Sequence, residues 1–97
     1  MIRSFRNQQS EDVFNGRTNK KAAKVLPLEL WRVAGRKLDQ INRTSELSYL
    51  NVPPGNHLEP LKGDRNGQHS IRINDKYRIC FRWADDGAHD VEITDYH

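Results

Sequence analysis

Seven consecutive residues, Tyr77-Arg78-Ile79-Cys80-Phe81-Arg82-Trp83, switch strictly between bulky apolar side chains and basic or small ones. A period of two belongs to a β-strand with one face on a core and the other toward solvent. Asp85-Asp86-Gly87 follows as a hairpin signal, and alternation resumes from Ala88 to Thr94 through Val91 and Ile93. Ahead of it, Ser70-Ile71-Arg72-Ile73 alternates as well, with Asn74-Asp75 as a tight turn. The second half of the chain therefore reads as an antiparallel meander.

The first half has a different period. Trp31, Ala34, Leu38 and Ile41 recur at three- and four-residue spacings and predict a helix over Pro27–Ile41, with proline in its first turn. Asn42-Arg43-Thr44-Ser45 ends that pattern. A shorter helical turn around Gln9–Phe14 stops at Asn15-Gly16, both tolerant of positive φ. Gly16–Lys24 is polar and basic and reads as a loop or a poorly formed helix start. Met1–Phe5 alternates weakly and suits an edge strand; Ser45–Asn51 suits another turn, before Val52-Pro53-Pro54-Gly55-Asn56 forces a break. Helices first and strands afterwards predict an α+β layer, helix on sheet. With 97 residues, no repeat and no linker, a single domain over 1–97 is expected.

Sixteen Lys and Arg against thirteen Asp and Glu leave a net charge of +3, which favours a polyanionic partner. Cys80 is the single cysteine, so no disulfide forms within the chain, as suits a reducing compartment. No apolar run approaches the roughly 20 residues that span a bilayer, and Ile2-Arg3-Ser4-Phe5-Arg6 is too polar for a signal-peptide core. A soluble, cytoplasmic protein without a membrane partner is expected.

Strand parity sets Tyr77, Ile79, Phe81 and Trp83 on one face and Arg78, Cys80 and Arg82 on the other, with Arg72 on the preceding strand. Three arginines on one sheet face suit an anion-binding surface, or equally a solvated face paired with Asp90 and Glu92. Lys62 lies in a Gly/Pro-rich loop with Asp64 and Arg65, where glycine lets a phosphate approach the backbone. A surface lysine accounts for it as well, and the P-loop pattern is absent. None of His57, His69, His89 and His97 is paired at metal-ligand spacing, so no metal site is expected. His57 and Glu59 are two apart and, in an extended segment, point the same way; they suit proton transfer or a plain salt bridge. Asp95-Tyr96-His97 follows a strand directly: an imidazole for proton transfer, a ring to stack on a base and a carboxylate to hold the imidazole, or else a frayed end.

Several segments together resemble HigB toxins, ribosome-dependent members of the RelE superfamily of type II toxin–antitoxin systems. They are Met1–Phe5, Val52–Asn56, Leu58-Glu59-Pro60-Leu61-Lys62-Gly63-Asp64-Arg65, Ser70–Asp75, Tyr77–Trp83 and Asp90–His97. The Leu-Lys-Gly-Asp-Arg run combined with the Asp-Tyr-His ending is the specific part. The resemblance implies a RelE-like fold, a twisted, mostly antiparallel sheet with two helices from the first half on one face. It further implies messenger-RNA cleavage in the ribosomal decoding site without a cofactor, a helix-turn-helix antitoxin (HigA-like) as partner, and operator DNA bound mainly through that antitoxin. By position, Lys62 and Arg78 resemble the groups that stabilise the scissile phosphate, and Asp95, Tyr96 and His97 the active-site tail. Arg65, Arg72 and Arg82 are the further RNA-binding candidates. Some HigB toxins carry a histidine immediately before Pro-Leu-Lys-Gly; Glu59 stands there in this chain with His57 nearby, so both are candidates for the base. Many relatives have an aromatic residue where His69 stands. The alternatives are a non-catalytic module that binds RNA or ribosomes or regulates transcription, and a basic docking face for an acidic partner.

Overall fold

The computed structural model describes residues 1–95. Helix α1, Gln8–Asn15, starts where Asn7 Oδ1 accepts from Ser10 N–H at 2.9 Å and ends at Gly16, whose φ of 70° is left-handed. A second helix, α2, occupies Lys20–Val25, where the basic composition suggested a loop or a poorly formed helix start. Asn19 makes the difference: its side chain caps the Ala22 N–H at 2.9 Å, and Ala22 is fully buried. Two hydrogen-bonding asparagines thus open the two helices that carry little apolar periodicity.

Helix α3 runs over Trp31–Arg43, preceded by a 3-10 turn at Leu28–Leu30. It begins four residues later than the spacing predicts because Pro27 enters with extended ψ and the chain first makes a tighter turn. The expected stripe is confirmed: Ala34, Leu38 and Ile41 are completely buried, each Leu or Ile contributing about 1.5–3 kcal/mol. Trp31 is half-buried and its indole N–H donates to Leu26 C=O at 2.7 Å. Further 3-10 turns at Leu47–Asn51 and Pro54–Asn56 lead to the sheet.

Strands β1 (Glu59–Pro60), β2 (His69–Arg72), β3 (Tyr77–Ala84) and β4 (Gly87–Asp95) pair antiparallel in chain order. Beside β4 lies the amino-terminal segment, bridging in parallel through Ile2 to Ala88 and Phe5 to Val91. Met1 C=O and Ser4 C=O accept from Ala88 and Val91 N–H, and Ser10 Oγ accepts from Ile93 N–H at 3.0 Å, so the edge of β4 is covered. The register shifts between Cys80 and Arg82, and Asp90 sits there with φ 54°, its N–H bound to Ser4 Oγ at 2.8 Å. This extra residue changes the parity of β4. Ala88, Val91 and Ile93 can all be buried, although 88 and 91 are an odd number apart. They join Ile71, Ile79 and Phe81 in a core under α1 and α3. The other face of the sheet carries the polar residues.

Candidate nucleic-acid interface

Two rows of directly paired residues cross the polar face. Glu59, Ser70, Cys80 and Glu92 form one; Arg72, Arg78 and Thr94 form the next. Arg72 and Arg78 are thus immediate cross-strand neighbours, which fits the expectation that the three arginines share one face. Arg78 is only 4% exposed, and its Nη1 donates to Asn74 C=O at 2.9 Å. The turn that presents this carbonyl is built by Asn74, whose Oδ1 accepts from the N–H groups of Lys76 and Tyr77. Arg72 is half-buried, with Asp75 at the limit of ion pairing, 4.0 Å.

Beyond the short β1, Leu61 is anchored in the core and its N–H donates to Gln68 C=O at 2.8 Å. This leaves Lys62 exposed at the head of a 3-10 turn, Gly63–Arg65, which needs the left-handed φ of 66° that Gly63 supplies. Glu59, Pro60, Leu61, Lys62 and Arg65 line a depression of about 320 Å³. Arg65 then reaches over the sheet: its Nη1 lies 3.0 Å from Glu92 Oε1 on β4 and 3.1 Å from Gln68 Oε1. Beneath that bridge, Ser70 and Cys80 are buried. Burial pushes the Cys80 thiol above its ordinary pKa, with Arg65, Glu92 and Arg78 as its charged neighbours.

The structure separates other candidates from this group. Arg82 shares the face but is exposed and pairs with Asp90 at 3.7 Å. The carboxylate partners anticipated across the hairpin are therefore divided, Asp90 to Arg82 and Glu92 to Arg65. Asp95 is opposite Tyr77, on the parity of the helix-facing row, and its carboxylate lies 3.7 Å from Lys76 Nζ. Tyr96 and His97 lie outside the described residues. His57 is not extended: its φ of 48° is left-handed and its N–H closes the Pro54–Asn56 turn. The two-residue rule that aligned it with Glu59 therefore does not apply, and Glu59 alone lines the depression. His69 stacks on Phe81, ring centroids 6.5 Å apart, and burial lowers its pKa.

Sequence reasoning missed Glu92 and Gln68 as the groups that hold Arg65. The signal for Glu92 was its register opposite Cys80, legible only once the bulge at Asp90 is known. Among the described residues no three His, Cys, Asp or Glu side chains are grouped to hold a metal ion, and no helix is long and apolar enough to cross a membrane.

A helix layer on one face of this sheet is the architecture of RelE-like toxins. The fold matches a YoeB–YefM complex from Staphylococcus aureus (TM-score 0.53, 16% identity, covering 100% of this chain and 98% of that one). It also matches a YoeB/ParE toxin from Agrobacterium tumefaciens (TM-score 0.55, 17% identity, 99% and 98% covered). The HigB-like toxin family, described as the RelE-like toxin of the type II toxin–antitoxin system HigB, matches residues 3–97. The protein is similar to toxin HigB-1 of Vibrio cholerae serotype O1 (37% identity over 65 residues, 67% of this chain and 68% of the relative). It is similar to endoribonuclease HigB of Proteus vulgaris over the full length of both, at 30% identity. The chain belongs to the HigB-like family of type II toxins.

Proposed function

We propose that the protein is an endoribonuclease toxin that cleaves translated messenger RNA on the ribosome, and that a cognate helix-turn-helix antitoxin silences it in the cytoplasm. The observation that carries this reading is Arg72 set directly against Arg78 on the polar sheet face over which Arg65 reaches to Glu92, Arg65 and Lys62 lining one depression. Like charges at paired sheet positions oppose folding, and their placement is understandable where an anion joins them. The relatives support the same reading: one is named an endoribonuclease, and one solved neighbour is a toxin–antitoxin complex. Operator DNA is contacted mainly through the antitoxin.

The reaction uses the RNA itself as nucleophile. The 2′-oxygen attacks the adjacent phosphorus, the P–O5′ bond breaks, and a 2′,3′-cyclic phosphate and a 5′-hydroxyl result. A base takes the 2′-hydroxyl proton and an acid returns one to the 5′-oxygen. Lys62 and Arg78 offset the charge that builds on the non-bridging oxygens, while Arg65 and Arg72 hold neighbouring phosphates. His97 is the proton-transfer group, with Asp95 and Tyr96 in the same tail, and Glu59 takes the position of the base at the depression. Cells induced to make the toxin without antitoxin should stop growing, with new RNA ends inside translated codons mapped by primer extension. Undiminished toxicity in a variant lacking His97 and carrying Arg78→Ala would overturn the assignment. Tight RNA or ribosome binding with no cleaved product would instead favour a non-catalytic module.

A further inference from the structure

Ion pairing is uneven over the molecule. Arg3, Arg6, Arg72 and Arg82, in the sheet and the segment beside it, each have a carboxylate within 4.0 Å. On α2 and the first half of α3 the pattern stops: among the described residues, none of Lys20, Lys21, Lys24, Arg32, Arg36 and Lys37 is in an ion pair. Asp39, the nearest carboxylate along α3, is held by Arg43 at 3.0 Å.

Two of these cations converge. Arg36 and Lys37, with Gln40, Pro53 and Asn56, line a depression of about 300 Å³ between α3 and the turn at Pro54–Asn56. Asn56 is completely buried, and its amide N–H groups serve Gln40 Oε1 and the carbonyls of Leu50 and Val52. Its one acceptor is aimed at Lys37, whose ammonium donates to it at 2.6 Å. An ammonium has three donors, so two remain for an occupant of the depression. Gln40 is committed to Asn56 and to Val52 C=O at 2.6 Å, which leaves the cations as the binding groups. Burial, with Arg36 beside it, pushes the Lys37 pKa below the ordinary lysine range. A half-buried ammonium next to a second cation, with no carboxylate within 4.0 Å, is an imbalance that a bound anion removes.

We propose that this depression is a second phosphate-binding site, held by Arg36 and Lys37, on the helix layer and away from the sheet face. Two adjacent cations match a phosphate better than a single carboxylate, and the other unpaired cations of the layer suit a chain of phosphates. The phosphate comes from an RNA backbone or from free inorganic phosphate. The site stands apart from the cleavage reading, since none of its residues is among those assigned to the reaction.

The test is NMR of the full chain at low salt, following the Lys37 side chain and the Asn56 amide while inorganic phosphate, or separately a short RNA duplex, is added. Saturable shifts at both residues are expected, and they should vanish in Arg36→Ala/Lys37→Gln, where glutamine can keep the bond to Asn56. A response to free phosphate identifies the small anion as sufficient; a response to the duplex alone identifies the backbone. With the duplex, the double variant should lower the log–log salt slope by about 1–2. Silent resonances with both probes, or binding undiminished in the double variant, overturn the site. Should the double variant unfold, the exposed Arg36→Ala alone decides: it should weaken binding several-fold, and full retention overturns the site.

Discussion

Arg72 and Arg78 occupy directly opposed positions on β2 and β3, and the folded chain tolerates this through its turn. Asn74 and Asp75, which reverse the chain between the two strands, also supply the Arg78 acceptor carbonyl and the Arg72 counter-charge. One short segment thus both creates the like-charge pair and holds it. Arg78, buried and bonded to the turn, is the better held of the two, and a held donor stabilises developing charge without reorganising.

Replacing these cations should separate chemistry from folding. Lys62→Ala removes an exposed side chain, so RNA cleavage should fall about 10²–10³-fold while the urea midpoint stays put. Arg78→Ala should lose as much rate and also about 1.5–3 kcal/mol of stability, because a charged hydrogen bond to the turn disappears. Arg78→Lys keeps the charge but not the fork, and should recover stability better than rate. Single-turnover cleavage paired with urea titration checks all three.

How far the sequence reached depends on what each feature requires. The stripe Ala34–Leu38–Ile41 and the strand Tyr77–Trp83 were legible because a period of 3.6 or of two is written in one segment. The helix at Lys20–Val25 was legible only as one of two alternatives, a loop or a poorly formed helix start, since Asn19 as a cap is a single-residue signal inside a basic run. Of the site, the parity of Arg72, Arg78 and Arg82 could be read from strand alternation. The Arg65–Glu92 bridge could not: it joins residues 27 apart, and only the bulge at Asp90 fixes which β4 side chains share its face. Likewise the backbone of His57 turns left-handed after the proline-rich turn, which no alternation rule anticipates.

Gly87 joins the hairpin to the amino terminus. Its φ is 127°, and a Cβ built there would come 2.0 Å from the Met1 carbonyl oxygen, which accepts from Ala88 N–H. Backbone cannot yield as a flexible side chain would. Gly87→Ala should therefore cost at least about 2 kcal/mol through strain and the displaced parallel bridge. Urea denaturation is the measurement, and hydrogen exchange at Ala88 and Val91 should quicken in the variant.

His69 should make stability depend on pH near neutrality. Burial against Phe81 holds its imidazole pKa below the ordinary 6.5, so the folded protein takes up this proton at lower pH than the unfolded chain. Where the unfolded state binds more protons, stability rises with pH. The contribution is complete above about 6.5 and declines as pH falls from there through the folded value. His69→Phe keeps the ring contact and removes the titration. Comparing urea midpoints at pH 7 and pH 5.5, the wild type should lose more than the variant; equal losses would exclude His69 as the source.

Glu92 should govern rate and affinity in opposite directions. Its Oε1 receives Arg65 at 3.0 Å, with Arg6 at 3.7 Å, and it is mostly shielded from solvent. Glu92→Ala removes negative charge from a face proposed to bind phosphates, so RNA binding should tighten at low salt and its salt slope steepen by about 1. The same change frees Arg65 from its place above Ser70 and Cys80, and misplacing a positioning group by an ångström costs up to about 10²-fold in rate. Cleavage at saturating RNA should therefore slow while KM falls, a split that general loss of folding does not produce. Glu92→Gln retains an acceptor for Arg65 and should keep most of the rate with the steeper salt slope. An unchanged saturating rate in Glu92→Ala would mean that Arg65 needs no anchor on β4.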